Sequence, residues 1–155
     1  MANPPGSCLI GQGSIMTQAK KPLIVLLAAP ETSASVLYGL YDVLLSVGAV
    51  YSDMVSGSPG DELLDIKIAS ADGKPFHCIG NIPVEPHMSA DNQATPDAVV
   101  ICDMYTSIYD VPKGRYPREI AWLRKMHTDG AMLTSVCSGS LLLAEAGLLD
   151  GQEAT

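Results

Sequence analysis

"AMLTSVCSGSLLLAEAG", residues 131–147, sets a short apolar run directly against a cysteine and then a helix-forming stretch of small residues and leucines. The run "AMLTSV" reads as a buried strand, and "SGSLLLAEAG" reads as a helix stopped by Gly147. Cys137 stands at the junction. In an open α/β sheet, chemistry collects beyond the carboxyl ends of the strands, so this junction is where a site is expected. First-turn amides of the following helix would favour a thiolate, and Ser138, Gly139 and Ser140 are small enough for a tight strand–nucleophile–helix turn. Spacing alone leaves two readings open. Cys137 is an activated thiol, or it is a small buried core residue, as cysteine often is.

The same alternation recurs upstream. "PLIVLLAA" (22–29) is a strand apolar on both faces, and "PETSASVLYGLYDVLLSVG" (30–48) follows as a helix. Thr32 or Ser33 is its expected cap, Val36, Leu40, Leu44 and Val47 its apolar positions, and Gly48 its end. "VYSDMVSG" (50–57) and "LLDIKIAS" (63–70) read as two further strands separated by "GSPGDE". A hairpin is expected around Asp72-Gly73, followed by loop. "DAVVICDMY" (97–105) is another strand, and "PREIAWLRKMHTDG" (117–130) a helix with Pro117 in its first turn and Ile120, Leu123 and Met126 inward. Strands alternating with helices predict a parallel sheet covered on both faces. No internal repeat and no second domain is seen.

Composition fits one domain: 155 residues, 47% hydrophobic, 17% charged, with few aromatic residues. The head, residues 1–21, is rich in Gly, Pro, Ser and Gln and reads as a mobile tail, with Met16 a second possible start; 22–155 is the domain. No apolar run is of membrane-spanning length and the head has no secretory h-region, so a cytoplasmic protein without membrane contact is expected. A formal net charge of −8 argues against unaided nucleic-acid binding. The basic residues of 113–125 read as a solvated helix face. Cys8, Cys78, Cys102 and Cys137 form no CxxC pair, and His77, His87 and His127 are too few and too scattered for a zinc site; no metal and no cofactor is expected.

"SVCSGSLLLAEAGLLDGQEAT" (135–155) resembles the cysteine-elbow segment of the ThiJ/PfpI superfamily, in the branch fused to an AraC-type helix-turn-helix. "PLIVLLAAPETSASVLYGLYDVLL", with Gly39, Asp42 and Val43 in register, and "GRYPREIAWLRKMHTDG" support the likeness over about residues 22–155. The resemblance implies a flavodoxin-like three-layer sandwich of the class I glutamine amidotransferase-like kind, with a mostly parallel sheet, cut short at its C-terminus. It further implies a small-molecule-sensing N-terminal domain of a transcription regulator, a homodimer that reaches DNA only through a downstream region absent from this chain. The alternative is a cysteine-dependent enzyme of the isonitrile hydratase, glyoxalase or amidase kind, with Cys137 as nucleophile.

Three departures lean against catalysis. The first-helix carboxylate of catalytic relatives falls at Ser35 or Val36, with Glu31 a weak substitute. The Gly-Gly oxyanion turn is replaced by "ICDMY", which puts Asp103 there. Ser138, not His, follows Cys137. A small-molecule pocket is expected at the strand ends, walled by Pro30, Glu31, Asp103, Met104, Tyr105, Cys137 and Ser138. Tyr105 and Tyr109 would line a lid or lie on the surface, and Glu145 is expected to point outward.

Overall fold

The computed structural model describes residues 20–107, 109 and 113–153. The tail reading of 1–21 falls almost wholly outside these residues, as do Met16 and Cys8. Strand β1 (Leu23–Leu27) occupies the middle of a five-stranded sheet. Beside it lie β2 (Asp65–Ser70) and β6 (Ala98–Ile101); β5 (Met88–Ser89) and β7 (Met132–Ser135) form the edges, giving the order β5-β2-β1-β6-β7. Every pairing in this sheet is parallel. A small antiparallel pair, β3 (Phe76–Cys78) with β4 (Ile82–Val84), stands apart. The helices are α1 (Ala34–Leu45), α2 (Ala49–Ser56), α3 (Pro117–Thr128) and α4 (Ser140–Glu145).

The continuous apolar run of β1 is explained by burial on both faces. Val25, Leu27 and Ala29 join one core with Ile120, Leu123 and Met126 of α3 and Leu142 and Leu143 of α4. Leu26 and Ala28 join the other, where Leu37 of α1 is fully buried and Val36, Leu40 and Leu44 pack around it. The expected α/β sandwich, a parallel sheet between helical layers, is the fold observed. No single helix is long and apolar enough to cross a membrane.

Two local expectations are overturned. The stretch 50–57 is not a strand: residues 50–56 are helix and Gly57 is its cap. Val50, Tyr51 and Val55 favour strands by propensity, but Gly48 at φ +87° starts a new helix and Gly57 closes it in the left-handed region, its N–H bonded to the Asp53 carbonyl. The second concerns Asp72-Gly73. It does form a turn, with the Gly73 N–H on Ser70 Oγ at 3.1 Å and the Lys74 N–H on Asp72 Oδ1 at 3.1 Å. The flanking segments do not pair with each other, because β2 is already paired with β1 and β5. The hairpin reverses instead through Ile79–Asn81, where Gly80 and Asn81 have φ +78° and +60°. The 97–105 strand is also shorter than expected, its ladder ending at Ile101.

Candidate functional site

The chain leaves β1 for β2 on one side and returns from the β5 edge to β6 on the other, so the strand order reverses between β1 and β6, at the switch point of the sheet. Three turns meet there. After β1, the chain doubles back through Pro30 and Glu31. Thr32, fully buried, accepts the Ala29 N–H on Oγ1 at 3.1 Å, while its own N–H donates to the Ala29 carbonyl at 2.9 Å. The second turn, 102–105, is latched to the first: the Tyr105 N–H donates to the Glu31 carbonyl at 2.8 Å.

Asp103 faces the head of α1. Its Oδ1 accepts the Ser33 N–H at 3.1 Å and its Oδ2 the Ser33 hydroxyl at 2.5 Å. Ser33 therefore holds the N-cap position expected of it, but the capping oxygen comes from 70 residues away and not from its own side chain. A carboxylate there also suits the positive end of the helix.

The third turn carries Cys137. It follows β7, opens a short 3₁₀ turn (Cys137–Gly139) that runs into α4, and has φ +49°, a left-handed conformation that few non-glycine residues adopt. Its side chain is exposed, whereas Cys78 and Cys102 are buried. Ser138 Oγ accepts the Met104 N–H at 2.9 Å and donates to the Met104 carbonyl at 2.7 Å. Gly139 lies so close to the end of β6 that a Cβ would stand 2.5 Å from the Cys102 carbonyl oxygen. Burial, reinforced by the Asp103 charge, pushes the Cys102 thiol up to about 12.

The anticipated pocket residues thus divide. Glu31, Asp103, Met104 and Ser138 are drawn together by hydrogen bonds through the 102–105 turn. Cys137 begins the adjoining turn with its sulfur toward solvent. Pro30 and Tyr105 are exposed, Tyr105 by 78%, and Tyr109 is also exposed. The Met104 and Tyr105 amides, which would have to face a developing oxyanion, are committed to Ser138 Oγ and the Glu31 carbonyl. No histidine hydrogen-bonds to Cys137 among the described residues. His77 sits in β3, and His127 lies in the last turn of α3. His87 Nδ1 accepts the Ile68 N–H at 3.0 Å, and its ring stacks on Tyr41 with centroids 5.9 Å apart.

Sequence reading missed two polar residues from the start of α3. Tyr116 is buried, and its hydroxyl is pushed up to about 12 by burial and then by the neighbouring Glu31 carboxylate. The Tyr116 hydroxyl and Glu31 Oε2 are both buried, and the two side chains lie beside each other with Arg115 next to the hydroxyl. Glu119, only 6% exposed, has its carboxyl raised by burial, with the Glu31 and Asp72 charges adding to the effect. It lines a cleft of about 230 Å³ with Pro30, Ser70, Asp72, Lys74 and Phe76, at the ends of β1 and β2. The only signal for either was a polar residue within a helix start that otherwise reads as surface. Glu145 also departs from expectation. It is half-buried, with Oε1 accepting the Gly114 N–H at 2.5 Å and Oε2 buried without a partner among the described residues.

No protein-family model matches the chain. Among curated proteins it is similar to the HTH-type transcriptional regulator CdhR of Pseudomonas aeruginosa, 30% identical over 115 residues. That match covers 74% of this chain and 33% of the regulator, so the chain spans about a third of its relative's length. Among solved structures it is similar to an AraC family transcriptional regulator from Pseudomonas putida, with TM-score 0.63, 18% identity, and coverage of 84% of this chain and 64% of that one. A DJ-1 superfamily protein from Salmonella typhimurium superposes with TM-score 0.62 at 18% identity, covering 84% and 63% of the two chains. The chain has the flavodoxin-like α/β fold of the DJ-1/ThiJ/PfpI superfamily. That fold hosts both regulators and proteins of other kinds, and the site must separate them.

Proposed function

We propose that the chain is the N-terminal, small-molecule-sensing domain of an AraC-type transcription regulator that acts in the cytoplasm as a homodimer. The observation that carries this reading is its 30% identity, over most of its own length, to only a third of an HTH-type regulator. The remaining two thirds of such a protein is where a DNA-binding region would lie, which reconciles an acidic domain with a DNA-binding partner region. The ligand would seat at the strand ends, against Pro30, Glu31, Asp103, Met104, Tyr105, Cys137 and Ser138, with Tyr116 and Glu119 behind. The buried Glu31 carboxylate and Tyr116 hydroxyl, side by side, give the strand ends a polar pair for such a ligand to meet. Ligand binding acts by population shift, so it must favour one placement of the downstream region over another.

The enzyme alternative draws on the exposed, left-handed Cys137. It is the weaker reading, because the turn amides it needs are occupied and no base hydrogen-bonds to the sulfur among the described residues. Sequencing the gene past Thr155 tests the regulator: helix-turn-helix units are expected, and a stop codon after one further helix overturns it. Turnover of an isonitrile or 2-oxoaldehyde substrate, abolished by Cys137→Ser, would establish the enzyme instead.

A further inference from the structure

Helix α2 is inside out. Its large apolar side chains all face solvent: Val50 is 47% exposed, Tyr51 75%, Met54 81% and Val55 68%. Positions i, i+1, i+4 and i+5 share one helical face. The opposite face, small and polar, is the one fixed to the protein. The Gly60 N–H donates to the Ala49 carbonyl at 3.1 Å, and a Cβ on Gly60 would lie 2.6 Å from Ser52 Oγ. No residue of α2 is buried. An eight-residue helix is marginal in water, and most helices owe their stability to a covered apolar face. Val43 on α1 and Leu63, whose N–H donates to the Val47 carbonyl just before α2, are also exposed, by 66% and 55%.

We propose that this face is an isologous interface, α2 packing on α2 of a second copy of the chain. Six side chains of this size expose on the order of 600 Å², near the roughly 800 Å² per partner of a standard interface. An apolar patch of this size stands at the upper end of what monomers expose and is often functional. Tyr and Met are favoured at interface centres and charges disfavoured; Asp53 is the one charge on α2. Such a seam is complementary to itself, as two-fold contact requires. A membrane fits less well, because residues 22–66 contain no Lys or Arg to meet anionic lipid while Asp42, Asp53, Asp61 and Glu62 stand close by in sequence. The interface stands on this surface alone and rests on the regulator reading only for its consequence, the pairing of two DNA-binding regions.

Sedimentation velocity of the 155-residue chain at micromolar concentration should show a dimer. M54E and M54K alter a position exposed in the single chain, so far-UV circular dichroism should show the fold retained, with the melting temperature lowered only as far as loss of the dimer lowers it. Each variant alone should weaken association on the order of 30-fold or more, the scale of an interface hot spot. An equimolar mixture should recover the dimer through opposite charges across the two-fold axis. A monomeric wild type, dimers that persist in either variant, a mixture that stays monomeric, or monomers that co-sediment with phosphatidylserine vesicles would each overturn the interface. These outcomes leave the assignment to a regulator's N-terminal domain untouched, although a monomeric wild type also removes the homodimer from it, whereas a reading frame lacking helix-turn-helix units overturns that assignment and not the interface.

Discussion

At the scale of single residues, position 137 combines exposure with a backbone conformation that costs an L-residue roughly 1–2 kcal/mol, and the strain is held by neighbours on both sides. Ser140 Oγ donates to the Cys137 carbonyl at 2.9 Å, and Gly139 is wedged against the end of β6. Gly139→Ala should therefore cost about 1–3 kcal/mol, the scale of an overpacked core, as measured by urea denaturation. Among the described cysteines, iodoacetamide should label Cys137 rapidly and leave Cys102 unmodified at pH 8 in the native state, since the Cys102 thiol is buried and pushed up to about 12. Equal labelling of the two would contradict the placement of both. Glu119 supplies a pH signature. A carboxyl raised above its ordinary value of 4.5 binds its proton more tightly in the folded chain than in the unfolded one. Stability is then fully present below the unfolded value and falls as pH rises through the folded one. Glu119→Gln should raise the Tm at pH 7, and the gain should vanish as pH approaches 4. A gain independent of pH would point to another cause.

At the scale of elements, α1 hangs on little. Leu37 is its one buried residue, and its head is capped by Asp103 from the turn after β6. Leu37→Ala should cost about 2–5 kcal/mol, and Asp103→Ala about 0.5–2 kcal/mol, with loss of helical circular dichroism as the readout. The strands β1, β2 and β7 and the helices α1, α3 and α4 were legible because their period, caps and stops agreed. The α2 segment was not. Val50, Tyr51 and Val55 argue for a strand one residue at a time, and the helical spacing that contradicts them describes a face the rest of the molecule does not cover. The capping of Ser33 was half legible: the position was marked, but the accepting carboxylate lay in the turn after β6, 70 residues away. Tyr116 and Glu119 were invisible for a related reason, since their neighbours, Glu31 and the residues after β1 and β2, are brought to the start of α3 only by the fold.

At the scale of the whole molecule, a net charge of −8 is carried by each copy, so two copies repel before their apolar faces meet. Raising salt from about 0.1 M to about 1 M shortens the screening range from about 10 Å to about 3 Å. The dimer should therefore tighten with salt, opposite to an association driven by ion pairs, and light scattering across a salt series checks it. The sandwich itself was legible from the alternation of strands and helices, since a parallel sheet has few ways to cover both faces. The choice between sensing and catalysis was less so, because it turns on which backbone amides at the strand ends remain free, a property no residue type announces.

Ser138 has a mechanical consequence. By holding both the N–H and the carbonyl of Met104, it works as a clasp between two turns that the sequence separates by 34 residues. The helix it leads into is tethered at its far end as well, through Arg124 Nε on the Ala146 carbonyl and Glu145 on the Gly114 amide. A guest that lifts the backbone at Met104 would therefore tug the head of α4, and the pull would pass along it to residues 147–153, the stretch through which any continuation of the polypeptide must leave.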